Sequence, residues 1–152
     1  MVNCFMGVDP GLSGAVAFYF PNQPDKIAAY DVPIVDNEIN CSALTQIIQQ
    51  FEPDWAIIEE VGAMPKQGVS STFKFGCSYG MVRGVVGALM IKTTLVRPAK
   101  WKKHFALAAE KEKSRERAIQ FWPRSEAFQR KKDHGRAEAA LLARYGSDLL
   151  IK

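Results

Sequence analysis

Apolar positions along this chain switch between a period of two and a period of 3.6, and the switches mark out its elements. Two short apolar runs, Cys4-Phe5-Met6 and Ala15-Val16-Ala17-Phe18-Tyr19-Phe20, flank Gly7-Val8-Asp9-Pro10-Gly11-Leu12-Ser13-Gly14. That order predicts strand, tight turn, strand, with Pro10 and Gly11 supplying the turn. Lys26 to Val32 alternates loosely and predicts a third strand, ended by Pro33. Leu44, Ile47, Ile48 and Phe51 recur at helical spacing behind a cap at Asn40 or Ser42. Trp55-Ala56-Ile57-Ile58 is a continuous apolar run, as in a strand buried on both faces, and it closes in Glu59-Glu60.

Val61 to Gly68 is a loop by composition, and a long helix follows from Ser70 or Ser71 to about Leu89. Gly76, Gly80, Gly84 and Gly87 fall along one side of it. Glycine costs a helix roughly 1 kcal/mol against alanine, so a stripe of them implies close approach of another backbone. Packing on the sheet is the first reading and a dimer contact the second. Ile91 to Val96 predicts another strand, and Arg97-Pro98 opens a short helix through Trp101, Lys102 and Lys103. Glu110 to Phe121 reads as a charged helix stopped before Pro123. Arg124 to Lys132 reads as basic and exposed, and Gly135 to Tyr145 as a last helix stopped by Gly146. The order is three strands, helix, strand, helix, strand, helices. It predicts one α/β domain over residues 1–152 with a mixed sheet.

Composition sets outer bounds. The 152 residues suffice for one full core, and 47% hydrophobic with 24% charged residues is the balance of a globular protein. No run of about 18 apolar residues occurs, so no membrane span is expected. Three cysteines, Cys4, Cys41 and Cys77, are odd in number and far apart. They suit neither a disulfide framework nor a zinc motif, and are expected to be buried in a reducing, cytoplasmic setting. The net charge of +4 is unevenly spread. Met1 to Val96 carries 5 Lys+Arg against 9 Asp+Glu, and Arg97 to Arg144 carries 14 against 6. An acidic half joined to a basic half suggests a cation-binding centre beside a surface for a polyanion; solvated helix faces are the plainer alternative.

Asp9 and Glu59 each end an apolar strand where the chain needs no charge, and Glu138 interrupts Ala137-Glu138-Ala139-Ala140-Leu141-Leu142-Ala143. Asp9 alone reads equally as a turn cap. Three converging carboxylates would repel one another unless cations sat among them, and oxygen ligands of this type suit Mg²⁺ or Mn²⁺. Beside a basic flank, the chemistry best served is phosphodiester hydrolysis.

Four segments then carry a likeness: Gly7-Val8-Asp9-Pro10-Gly11, Pro53 to Val61, the helix from Phe73-Lys74-Phe75-Gly76 to Arg83-Gly84, and Lys131 to Ala139. In this order they resemble the RuvC family of Holliday junction resolvases, within the RNase H-like nucleases, and more closely its short phage-type members. The resemblance implies an RNase H-like fold, a central mixed five-stranded sheet flanked by helices. It also implies a homodimer in a bacterial or phage-infected cell that cuts four-way and other branched DNA in paired symmetric nicks. Mg²⁺ is the implied cofactor, with Mn²⁺ as a substitute, and no nucleotide cofactor or membrane is involved. Carried over by position, Asp9, Glu59 and Glu138 become metal ligands, with Asp133 or His134 as the fourth active-site group. Lys102 and Lys113 become the groups that neutralise phosphate. Arg97, Lys100, Lys103, Arg130, Lys131, Lys132 and Arg136 become strand contacts. A base-unstacking wedge falls to Met64 or Phe73, although Phe73 and Phe75 read first as core. A broader branched-DNA or flap nuclease and a non-catalytic junction-binding protein share most of these residues. An actin-like ATPase shares only the Asp-x-Gly turn.

Overall fold

The structure, a computed structural model, describes residues 1–150. The predicted elements form in the predicted order. Strands β1 (Phe5–Asp9), β2 (Ala15–Tyr19) and β3 (Ile27–Asp31) make an antiparallel meander. A small hairpin, β4 (Ile34–Val35) with β5 (Glu38–Ile39), leads to helix α1 (Cys41–Phe51). Strand β6 (Trp55–Glu59), helix α2 (Val69–Ala88) and strand β7 (Lys92–Val96) follow, then helices α3 (Pro98–His104) and α4 (Lys111–Phe121). A 3₁₀ turn (Lys131–Asp133) runs into the last helix, α5 (His134–Leu150). The main sheet has the order β3-β2-β1-β6-β7, with β1, β6 and β7 parallel and the meander antiparallel. Among the described residues no helix is long and apolar enough to cross a membrane.

Strand alternation divides the core in two. Phe5 and Ile57 point to the layer of α3, α4 and α5, while Met6, Val8, Ala56 and Ile58 point to α1 and α2. Helix α5 lies against β1 at backbone distance. A Cβ on Gly7 would collide with the carbonyl of Ala139 and sit 2.6 Å from the amide of Ala143. Gly146 makes the second close approach, since a Cβ there would stand 2.5 Å from Ile57 Cγ1. Gly146 is therefore a packing residue inside α5 and not its stop. The helix continues to Leu150 because contact with the sheet outweighs the helix cost of one glycine.

Other expectations need correction. The sheet-facing stripe of α2 is Ser78, Val82 and Val86, and all four glycines of the opposite stripe face outward with open space beside them. Packing on the sheet is thus not what those glycines serve. Arg124 to Lys132 is not simply exposed, because Phe128 is fully buried in the α5 layer beside Trp122. Among the cysteines, Cys4 is buried but Cys77 is exposed on α2. Phe73 is 71% exposed, so it belongs to no core.

The α5 seam gives a first expected outcome. Gly7→Ala forces α5 off β1, and overpacking of this kind costs about 1–3 kcal/mol. A urea midpoint equal to that of the parent would show that the seam is looser than described.

Candidate active site

Asp9 and Glu59 reach one place by strand geometry alone. Strands β1 and β6 are parallel neighbours in the register Gly7↔Ile57 and Val8↔Ile58, which sets their last residues side by side. Both acids have the parity of Phe5, Gly7 and Ile57, so both face α5. Helix α5 runs antiparallel to β1, with Gly146 over Phe5 and Ile57 and its first residues over Asp9. A Cβ on Gly135 would stand 3.6 Å from Asp9 Oδ2. One turn on, Glu138 completes the group: one carboxylate oxygen from each of Asp9, Glu59 and Glu138 lies within 4.8 Å of the other two. Among the described residues these three form the sole group of this kind. Glu59 and Glu138 are only 8% and 7% exposed.

The electrostatics are those of a site short of positive charge. Burial, then the carboxylates of Glu138 and Glu59, push Asp9 well above its usual range. Burial also raises Glu59, although its Oε2 accepts a 2.8 Å hydrogen bond from the buried indole of Trp101. Glu138 is raised chiefly by burial, with Lys102 and Lys111 pulling the other way. The positive end of the α5 dipole faces the group and offsets part of the repulsion.

Three oxygen donors, mutually repelling and lining one cleft, fit a hard divalent cation. A stability signature follows, with its sign set by the raised values. Below an unfolded carboxylate pKa of about 4 the group contributes no penalty. Stability is then lost as pH rises through the folded values, because the unfolded chain releases those protons more readily. In EDTA the melting temperature should fall between pH 5 and pH 8. Mg²⁺ at about a hundred times its Kd should return roughly 2.7 kcal/mol at the upper pH. At 2–4 °C per kcal/mol that is about 5–10 °C by thermal melt. A melt indifferent to both pH and Mg²⁺ would deny the carboxylates their common site.

A cleft of about 560 Å³ opens over these acids, lined also by Lys74, Phe75, Lys102, Lys111 and His134. Of the sequence candidates, the structure therefore brings Asp9, Glu59, Glu138, Lys102 and His134 together. It does not bring Asp133. That carboxylate is 1% exposed and is engaged by Arg130, through the backbone N–H at 2.8 Å and the guanidinium at 2.8 Å. Asp133 thus caps the turn that starts α5, and Arg130 is held for the same task. Lys113 points elsewhere as well, 3.5 Å from Glu116 beside a separate hollow that includes Arg117. Lys111 stands in its place. Ser114 and Ala118 mark the buried face of α4, and Lys111 shares that side at i−3 and i−7, a spacing visible in the sequence. Arg136 is committed to Asp31 of β3 in a two-pronged pair at 2.9 and 3.2 Å. Glu60 turns to the other face of β6 and meets the exposed Arg97 at 3.3 Å. Lys100, Lys103, Lys131 and Lys132 are exposed.

No family model and no curated protein matches this sequence. Solved structures do match. Thermus thermophilus RuvC in complex with a Holliday junction substrate superposes with a TM-score of 0.65 at 15% identity, over 96% of this chain and 95% of that one. Fowlpox virus resolvase, also with junction DNA, gives 0.57 at 14% identity over 98% and 99%. The yeast mitochondrial resolvase Ydc2 gives 0.51 at 14% over 91% and 76%. The chain has the RNase H-like α/β fold of RuvC and of these other Holliday junction resolvases.

Proposed function

We propose that this protein is a divalent-metal-dependent, structure-selective endonuclease that cuts four-way DNA junctions. The observation that carries the reading is the convergence of Asp9, Glu59 and Glu138 within 4.8 Å beneath a cleft edged by lysines. The three carboxylates would hold the cation. When bound, it supplies an activated water and charge stabilisation for the phosphate under attack and the departing oxygen. The indole of Trp101 fixes the rotamer of Glu59 through its hydrogen bond. Lys102 and Lys111 bring positive charge to the same cleft, where a phosphodiester would sit. His134 lines the wall of the same cleft, within reach of a substrate held there. Lys100, Lys103, Lys131 and Lys132 give the arms of the DNA an exposed basic track that contributes affinity without sequence.

The fold likeness to resolvases seen with junction DNA favours a junction over a simple duplex as substrate. The test is cleavage of an immobile four-way junction with and without Mg²⁺, with cuts mapped on all four strands and flap and fork substrates alongside. Paired symmetric cuts only in Mg²⁺ support the proposal. Equal cutting of flaps and forks moves it to a general branched-DNA nuclease, and binding without cutting moves it to a junction-binding protein.

Paired cuts call for two active sites, and the outward glycine stripe of α2 suits a second copy of this chain. Gly76, Gly80, Gly84 and Gly87 leave a smooth helix surface whose helix cost has no return within the single chain. Gly80→Glu with Gly84→Glu should raise the helix propensity of α2 yet convert a dimer to a monomer in sedimentation. A dimer that survives this pair of substitutions uses another face.

A further inference from the structure

Val96 lies opposite Glu59 in the register of β6 and β7, so the chain leaves the sheet beside that carboxylate. Pro98 opens α3, and one turn on Trp101 is the buried residue of this short helix. Its side chain is 0% exposed, and its Nε1 donates to Glu59 Oε2 at 2.8 Å. The chain has three tryptophans, and the other two donate to neutral oxygens. Trp55 donates to Thr94 Oγ1 at 2.9 Å and Trp122 to the carbonyl of Pro24 at 3.0 Å. Trp101 differs in giving its N–H to a carboxylate of the candidate metal group.

A buried indole needs one acceptor, and a neutral carbonyl would satisfy it. A carboxylate oxygen makes the stronger, charge-assisted bond, and the consequence falls on Glu59. With Oε2 engaged and the side chain held in one rotamer, a cation draws chiefly on Oε1. The number of oxygens an acid can give separates the hard cations. Mg²⁺ takes six ligands in a near-octahedral shell and keeps several waters, so a one-oxygen carboxylate suits it. Ca²⁺ takes six to eight ligands and gains from a carboxylate that offers both oxygens. We infer that Trp101 is a positioning residue that sets metal choice: by holding Oε2 it makes Glu59 a one-oxygen ligand and disfavours Ca²⁺ against Mg²⁺.

The inference rests on the metal-dependent reading above, and one experiment separates their failures. Calorimetric titration of the DNA-free protein with Mg²⁺ and with Ca²⁺, at one pH, gives a Kd for each ion. Trp101→Phe keeps an aromatic ring and removes the N–H. The ratio of Ca²⁺ to Mg²⁺ affinity should then rise about tenfold over the parent, the lower range for a hydrogen bond to a charged group. Phe leaves space in the core, so a second variant, Trp101→benzothienylalanine, keeps both rings with sulfur in place of the N–H. It should melt close to the parent and show the same rise, and it decides the matter if Phe prevents folding. A ratio within about twofold of the parent in the isosteric variant, or one moved toward Mg²⁺, overturns the inference and leaves the nuclease reading standing. Lost packing alone would weaken both ions together and leave that ratio where it was. A parent that binds neither ion removes the metal-dependent reading and this inference with it.

Discussion

Asp9→Asn should lower junction cleavage by at least about 10³-fold while junction binding in a gel shift stays within a few-fold of the parent. The size follows from the loss of a charged group that acts only on the reacting phosphate, the upper range for one such deletion. Asn keeps the shape of the side chain and the turn around Gly11. It removes the carboxylate that burial and two acidic neighbours already hold well above its usual pKa. The metal-free variant should therefore melt no lower than the parent, and higher at pH 8. Activity and stability would then move in opposite directions, as expected where a strained cluster is kept for its chemistry. Retained cleavage would remove Asp9 from the reaction, and a lower melt would mean the carboxylate serves the fold.

The second large effect separates two lysines. Lys111→Ala should lower the rate at saturating junction by about 10²-fold, the cost of one donor aimed at developing charge. Lys113→Ala should stay within about twofold, since its ammonium lies beside Glu116 and outside the cleft. Single-turnover rates of both variants decide the matter. A larger loss for Lys113 than for Lys111 would mean that α4 is rotated when DNA is bound.

Much of this site was legible because strands enforce parity. Asp9 and Glu59 interrupt apolar runs at their last positions, and two parallel neighbours then bring them together with no further information. Glu138 was legible from the alanines around it, which announce a helix pressed against another backbone. What the sequence hid depends on rotation about helices and on competition between partners. Asp133 and His134 are adjacent, yet the first is taken up by Arg130 and the second lines the cleft. No spacing rule distinguishes a capping acid from a ligand there. The glycines of α2 suggested packing on the sheet, yet they lie on the opposite face with open space beside them, because polar Ser78 sits on the buried side and weakens the helix's amphipathic contrast. The β4–β5 hairpin leaves no mark in the sequence, because two-residue strands carry too little alternation.

Helix α5 is at once the element laid most closely on the sheet and the carrier of Glu138. Its seam along Gly7, Ala139, Ala143 and Gly146 leaves the helix no freedom to slide or lift by itself. The third carboxylate is thus welded to the middle of the molecule and cannot fray away while the rest stays folded. Heat should extinguish cutting and native structure in a single step, with no warm interval in which an intact but idle protein persists.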